Sequence, residues 1–288
     1  MSNPIDQLRQ VEEVLQARPA SDGDGVKLLR VFGGGDLARF DPFLMLDEFG
    51  SYDANDYIGG FPSHPHRGFE TVTYMLEGIM EHKDHMQNIG ILKSGDVQWM
   101  KAGAGVIHSE MPKQDQGRMR GFQLWVNLPA DEKMTPATYI DIAADKIPEY
   151  IIGNASVKAI AGKLQINEQD VYGAVTEGST EPGYLDIRID GKGAELNISV
   201  PDGHIALAYI YEGKVVLGSS ELELGSQTLV RLSKYGTIKL KADGPSKLLL
   251  MTGKPINEPI VQHGPFVMNS KDEIKKAIED YQQGRLVS

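Results

Sequence analysis

Between Tyr57 and Val126 the chain alternates short apolar runs with glycine turns. The runs are Glu70–Leu76, Ile79–Lys83, Ile89–Lys93, Val97–Lys101 and Phe122–Asn127. The turns carry Glu77-Gly78, Ser94-Gly95 and Gly103-Ala104-Gly105. Short strands joined at regular intervals by glycine turns build a sandwich or a barrel. The rhythm starts earlier, with Val26–Phe32 ended by Gly33-Gly34-Gly35, and with Pro42–Leu46 running into Asp47-Glu48. It breaks at Leu128-Pro129, where a more polar stretch begins and continues to Pro148. It resumes with Val157–Ala161, Tyr172–Thr176, Tyr184–Ile189, Ala194–Val200, Ile205–Tyr211 and Leu248–Met251. The expectation is an all-β chain in two parts, residues 1–135 and 136–288.

The second part echoes the first. Tyr74-Met75-Leu76-Glu77-Gly78 returns as Tyr209-Ile210-Tyr211-Glu212-Gly213. Gly95-Asp96-Val97-Gln98-Trp99-Met100 returns as Gly225-Ser226-Gln227-Thr228-Leu229-Val230. Two echoes in the same order, at nearly the same offset, indicate duplication with one shorter loop.

The two ends read differently. Ile5, Leu8, Val11 and Leu15 recur at near-helical spacing with Asn3 as a cap, but Val11–Leu15 also fits a strand leading into the barrel. Near the other end, Ile274, Ala277, Ile278 and Tyr281 fall at i, i+3, i+4 and i+7. Ser270 and Glu273 have capping-box spacing, and Gly284 suits a helical stop. A helix over about 271–283 is expected to lay this stripe on a barrel wall.

Composition narrows the function. Lys and Arg total 29 against 40 Asp and Glu, for a formal net charge of −11, and there is no long basic run. That argues against direct nucleic-acid binding, which needs clustered cations for phosphate contact. There is no cysteine, hence no disulfide, thiolate ligand or cysteine nucleophile. Met1–Arg18 lacks the apolar core of a signal peptide, and runs such as Ile205–Tyr211 are too short to span a bilayer. A cytoplasmic protein without membrane attachment is expected.

Three of the seven histidines lie in two short motifs, His64-Pro65-His66 and His108-Ser109-Glu110. In a strand, residues i and i+2 share a face. Two such strands can therefore aim three imidazoles and one carboxylate at a common point inside a barrel. Glu70 is an alternative carboxylate, a few residues beyond His66 and of the same parity. His82, Asp84 and His85 read as a solvated hairpin, with His82 and Asp84 behind the ligands as the other reading. His204 stands alone. The echoes map His64 and His66 onto Ser199 and Pro201, and His108 and Glu110 onto Ile238 and Leu240. The second part thus repeats the architecture without the ligands.

Gly60-Phe-Pro-Ser-His-Pro-His-Arg-Gly-Phe-Glu-Thr-Val72 and Gly95-Asp-Val-Gln-Trp-Met-Lys-Ala-Gly-Ala-Gly-Val-Ile-His-Ser-Glu-Met-Pro112 together resemble the pirin family of the cupin superfamily. Pro42–Phe49, Gln123–Leu128 and Gly264–Asn269 are also similar to pirins. The resemblance implies a bicupin: two tandem cupin β-barrels, with metal only in the N-terminal one. Its ligands would be His64, His66, His108 and Glu110, with Glu110 preferred to Glu70. Gly103 stands where the general second cupin motif has proline, a departure that pirins share. The donor set suits one divalent ion: Fe(II), Ni(II), Mn(II) or Cu(II), or Zn(II) in a closed tetrahedral site. The resemblance favours iron.

Pirins include quercetin 2,3-dioxygenases. The resemblance therefore implies an Fe(II)-dependent dioxygenase that takes O2 and a flavonol or similar enolic or phenolic substrate. Glu110 would be the base for the substrate hydroxyl. The alternative is a redox-sensing regulatory protein that binds a protein partner, a transcription factor or metabolic enzyme, through its metal-containing domain. A third reading is a sugar isomerase with a non-redox metal.

Overall fold

The structure, a computed structural model, describes residues 7–191 and 193–287. Strands dominate, and Lys271–Gln282 is the one α-helix among the described residues. None of these elements is a helix long and apolar enough to cross a membrane.

Contacts divide the chain into two compact units. One contains residues 18–144 and 256–287; the other contains 7–17 and 145–255. The internal break falls in the polar stretch where the rhythm of strands was expected to pause. As lengths of sequence we propose 1–135 and 136–288 as the two barrels. As packed bodies they trade ends.

The exchange has a hydrogen-bonding cause at each end. Val11–Gln16 is a strand, antiparallel to Thr228–Leu232. Its burial alternates residue by residue, so the strand reading prevails over the helical one. The Asn3 cap and Ile5 lie outside the described residues. Just ahead of this strand Arg9 is fully buried. It donates to the carbonyls of Gly236, His204, Ser233 and Pro201, all within 3.0 Å. A guanidinium is costly to bury unless such acceptors surround it.

The first barrel faces a seven-stranded sheet against a four-stranded one. The larger sheet runs Thr138–Ile142, Val97–Lys101, Phe69–Glu77, Met119–Asn127, Phe43–Ser51, Val26–Gly33, Arg18–Asp22. The smaller runs Phe61–His66, Val106–Pro112, Met80–Asp84, Ile89–Leu92. Most match expected strands with ends moved by a few residues, but Arg18–Asp22 and Thr138–Ile142 were not expected, the latter lying in the polar stretch.

The second barrel repeats that plan. Its larger sheet runs Val11–Gln16, Thr228–Leu232, Ile205–Glu212, Ser246–Gly253, Gly183–Ile189, Ala155–Ala161, Glu149–Ile152. The echo strands Phe69–Glu77 and Ile205–Glu212 hold the same place, third in each sheet. The expected strand Tyr172–Thr176 is instead Gln169–Tyr172. An apolar cluster of Ile, Leu, Val and Ala fills this barrel. Register corrects one mapping: Ile238 pairs with Ile198, as His108 pairs with His64. Ile198, not the exposed Ser199, therefore occupies the place of His64. A packed isoleucine pair stands where the first barrel has His64 and His108.

The tail returns to the first barrel. A hairpin, Val261–His263 with Phe266–Met268, leads into the helix. Ser270 Oγ accepts from Glu273 N, the N-cap half of the expected capping box, while Glu273 Oε2 accepts from Asn269 N and the Ser270 hydroxyl rather than from Ser270 N. Ile274 and Ala277 are buried against Phe266, Met268 and Leu286, with Ile107 and Ile278 alongside. Tyr281, expected in this stripe, is 42% exposed.

Candidate metal centre

Three histidines converge in the first barrel. His64 and His66 come from Phe61–His66, and His108 from the neighbouring Val106–Pro112, directly opposite His64. One ring nitrogen from each lies within 4.8 Å of the other two. The ring centroids are 4.4 to 4.9 Å apart.

Each ring is oriented by its surroundings. His64 Nδ1 donates to the Pro62 carbonyl at 2.8 Å, which leaves the Nε2 lone pair free. That Nε2 lies 3.0 Å from His66 Nε2. His108 Nδ1 lies 2.7 Å from His82 Nε2, and the buried His108 Nε2 has no hydrogen-bond partner. Burial pushes His66 and His108 well below the usual imidazole range, and the neighbouring histidines add to the effect. The Pro265 carbonyl opposes it at His66. Neutral rings are metal ligands, and a buried orphan nitrogen calls for a partner. A cation at the common point would satisfy all three rings, so the residues fit a divalent metal.

His82 was expected on a solvated hairpin; the structure corrects this. It is 1% exposed, on Met80–Asp84 beside the His108 strand. Its pKa is lowered, first by burial. Asp84 turns away to cap the bend, accepting from Met86 N and Asn88 N. His85 is exposed. The alternation of Met80, His82 and Asp84 was the available signal for an inward His82.

The carboxylates divide clearly. Glu110 is buried and lines the same cavity as His64 and His66, but lies outside the tight group of three nitrogens. Its Oε1 accepts from Thr73 Oγ1 at 2.9 Å. Glu70 is held elsewhere, accepting from Trp99 Nε1 at 3.0 Å on the face shared with Val72. The parity argument for Glu70 fails at Gly68. There φ is +88° and the strand breaks between His66 and Phe69, which resets the alternation. Burial raises the Glu70 pKa to about 7.

One further glycine and two buried cations shape the site. Gly103 has φ +50°, which proline, fixed near −65°, cannot adopt. That accounts for glycine at this point of the second motif. Lys133, 1% exposed, donates to Gly68 O, Asn127 Oδ1 and Val267 O. Arg67, next to His66, pairs with Asp280 of the helix at 3.0 Å and donates to the Ala104 carbonyl.

His64 and His66 open onto a cavity of about 670 Å³. Phe49, Phe61 and Trp125 give it aromatic walls, and Met45 and Met80 add soft apolar ones. Arg30, Asp47, Gln123 and Thr73 form a row across four strands of the larger sheet. Arg30 grips Asp47 through two bonds of 2.9 and 2.7 Å and reaches Asp22 at 3.1 Å. Burial raises the Asp47 pKa, while Arg30 opposes the rise. The row, Thr73 and the cavity were not read from the sequence.

Comparison with known proteins agrees with the geometry. The pirin family model matches residues 25–126, and the pirin C-terminal cupin domain model matches 184–287. A Pseudomonas aeruginosa protein named "Putative quercetin 2,3-dioxygenase" is 51% identical over 280 residues, covering 96% of this chain and 98% of its own. Human pirin is 36% identical over 274 residues, covering 93% and 91%. The crystal structure of a quercetin 2,3-dioxygenase from Acinetobacter baumannii matches with a TM-score of 0.87 at 36% identity, covering 98% of this chain and 99% of that one.

Proposed function

This chain belongs to the pirin family, and on that premise we propose that it is a metal-dependent dioxygenase acting on a flavonol or a similar enolic or phenolic compound. The observation that carries the reading is the convergence of three imidazoles beside a cavity with aromatic sides. We propose His64, His66, His108 and Glu110 as the ligands and Fe(II) as the ion. When bound, the ion would supply Lewis acidity toward a substrate oxygen and electron exchange with O2.

The protein's own groups do the rest. Phe49, Phe61 and Trp125 bind a flat ring and exclude water from its faces. About 670 Å³ is ample for a compound of this size. Gln123 and the Arg30–Asp47 pair offer polar contacts to ring hydroxyls. Glu110 Oε2, to which no donor among the described residues bonds, takes the proton from the hydroxyl nearest the histidines.

An oxygen electrode with simultaneous flavonol absorbance tests this reading on metal-analysed protein. One O2 should vanish per flavonol, and His108→Ala should lose metal and turnover together. Turnover that persists in metal-free protein, or no oxygen uptake with iron loaded, would overturn it.

A further inference from the structure

Glu110 is held by a hydrogen-bond chain that sequence motifs do not reveal. Its Oε1 accepts from the Thr73 hydroxyl, which itself lies 2.6 Å from Gln123 Oε1. Thr73 is 2% exposed, and strand register sets it directly opposite Gln123. A threonine hydroxyl has one hydrogen, and a carboxylate has none to give. Thr73 can serve Glu110 only if it accepts from its other neighbour. Half a turn of the Gln123 amide exchanges its oxygen for nitrogen and supplies that donor. The donors then run in one direction, from Gln123 Nε2 to Thr73 Oγ1 to Glu110 Oε1. Glu110 Oε2 accepts no hydrogen bond from the described residues.

We propose that Thr73, itself set by Gln123, is the positioning residue for Glu110. It claims one carboxylate oxygen and presents the other, singly, to the metal and the substrate. The inference rests on the metal site proposed above and adds how its carboxylate is aimed. A carboxylate tied at one oxygen binds an ion through the other alone. Such a ligand is released more readily than a chelating pair, as a group that also carries a proton requires.

Cobalt(II) is the probe, read by chelator competition for affinity and by its visible spectrum for ligand geometry. Thr73→Val keeps the shape and removes the hydroxyl. It should weaken cobalt binding by about 10- to 100-fold, the usual effect of losing a group that orients a ligand. It should also alter the spectrum, and Thr73→Ser should restore both. Thermal unfolding checks that the variants are folded. If Thr73→Val does not fold, Gln123→Leu carries the same expectation through the first link of the chain. Wild-type affinity and spectrum in a folded Thr73→Val or Gln123→Leu overturn the proposal. Cobalt held equally well by His108→Ala overturns the metal site and this inference together. Neither readout involves turnover, so a failure to consume flavonol would leave the positioning role standing.

Discussion

His82 Nε2 sits 2.7 Å from His108 Nδ1, and both rings are buried. When His108 Nδ1 donates across this contact, its buried Nε2 keeps a free lone pair beside His64 and His66. Partners of this kind tune metal affinity without binding the metal. His82→Leu should lower affinity by about 10-fold or more, yet leave a measurable site. His108→Ala should leave none. Metal per protein after dialysis against graded chelator separates the two, and equal retention by wild type and His82→Leu would refute the role.

Glu70 makes stability depend on pH. Its folded-state pKa of about 7 stands above the ordinary 4.5, so folding holds the proton more tightly. Its stabilising contribution is full below about pH 4.5 and fades as pH rises to about 7. Above that, the protein carries a buried ionised carboxylate. Glu70→Gln keeps an acceptor for Trp99 and removes the charge. The variant should gain on wild type across this window, by about 3 kcal/mol once pH exceeds 7. Urea midpoints of both proteins at several pH values give the difference directly; a gap that is constant with pH would refute it.

Arg67 and Asp280 form a buried ion pair at 3.0 Å. Asp280→Asn leaves the guanidinium without its counter-charge. Loss of one partner from a buried pair costs on the order of 3 kcal/mol. Equilibrium unfolding should show this as a lower midpoint. A change within about 0.5 kcal/mol would place the pair with ordinary surface contacts.

Gly68 closes the turn after His66. A Cβ added there would lie 2.0 Å from the Val267 carbonyl oxygen, at a φ of +88°. Gly68→Ala should cost about 3 kcal/mol through the combined strain and clash. It should also weaken metal binding, because the shift reaches His66. Normal stability with normal metal content would show that the turn has slack.

Much of this was legible in the sequence because strands signal with a period of two. His64-Pro65-His66 and His108-Ser109-Glu110 are local patterns, and the turns that frame them carry glycine. Local patterns also carried the N-cap at Ser270. What failed was counting across a break, as at Glu70, where Gly68 resets the parity. His82 was misread because polarity alone does not reveal burial. The row Arg30–Asp47–Gln123–Thr73 is set by pairing between strands far apart in sequence, which no window of neighbouring residues contains. The same is true of Arg9 in the second barrel and Arg67 in the first.

The traded ends also matter while the chain is being made. Arg67 emerges from the ribosome immediately after His66, but its partner Asp280 follows 213 residues later. Val267, which shares Lys133 with the Gly68 turn, is nearly as late. The Phe61–His66 strand thus waits long after its own synthesis for the groups that finally fix it. A polypeptide truncated before Lys271–Gln282 would be left with that strand unlatched.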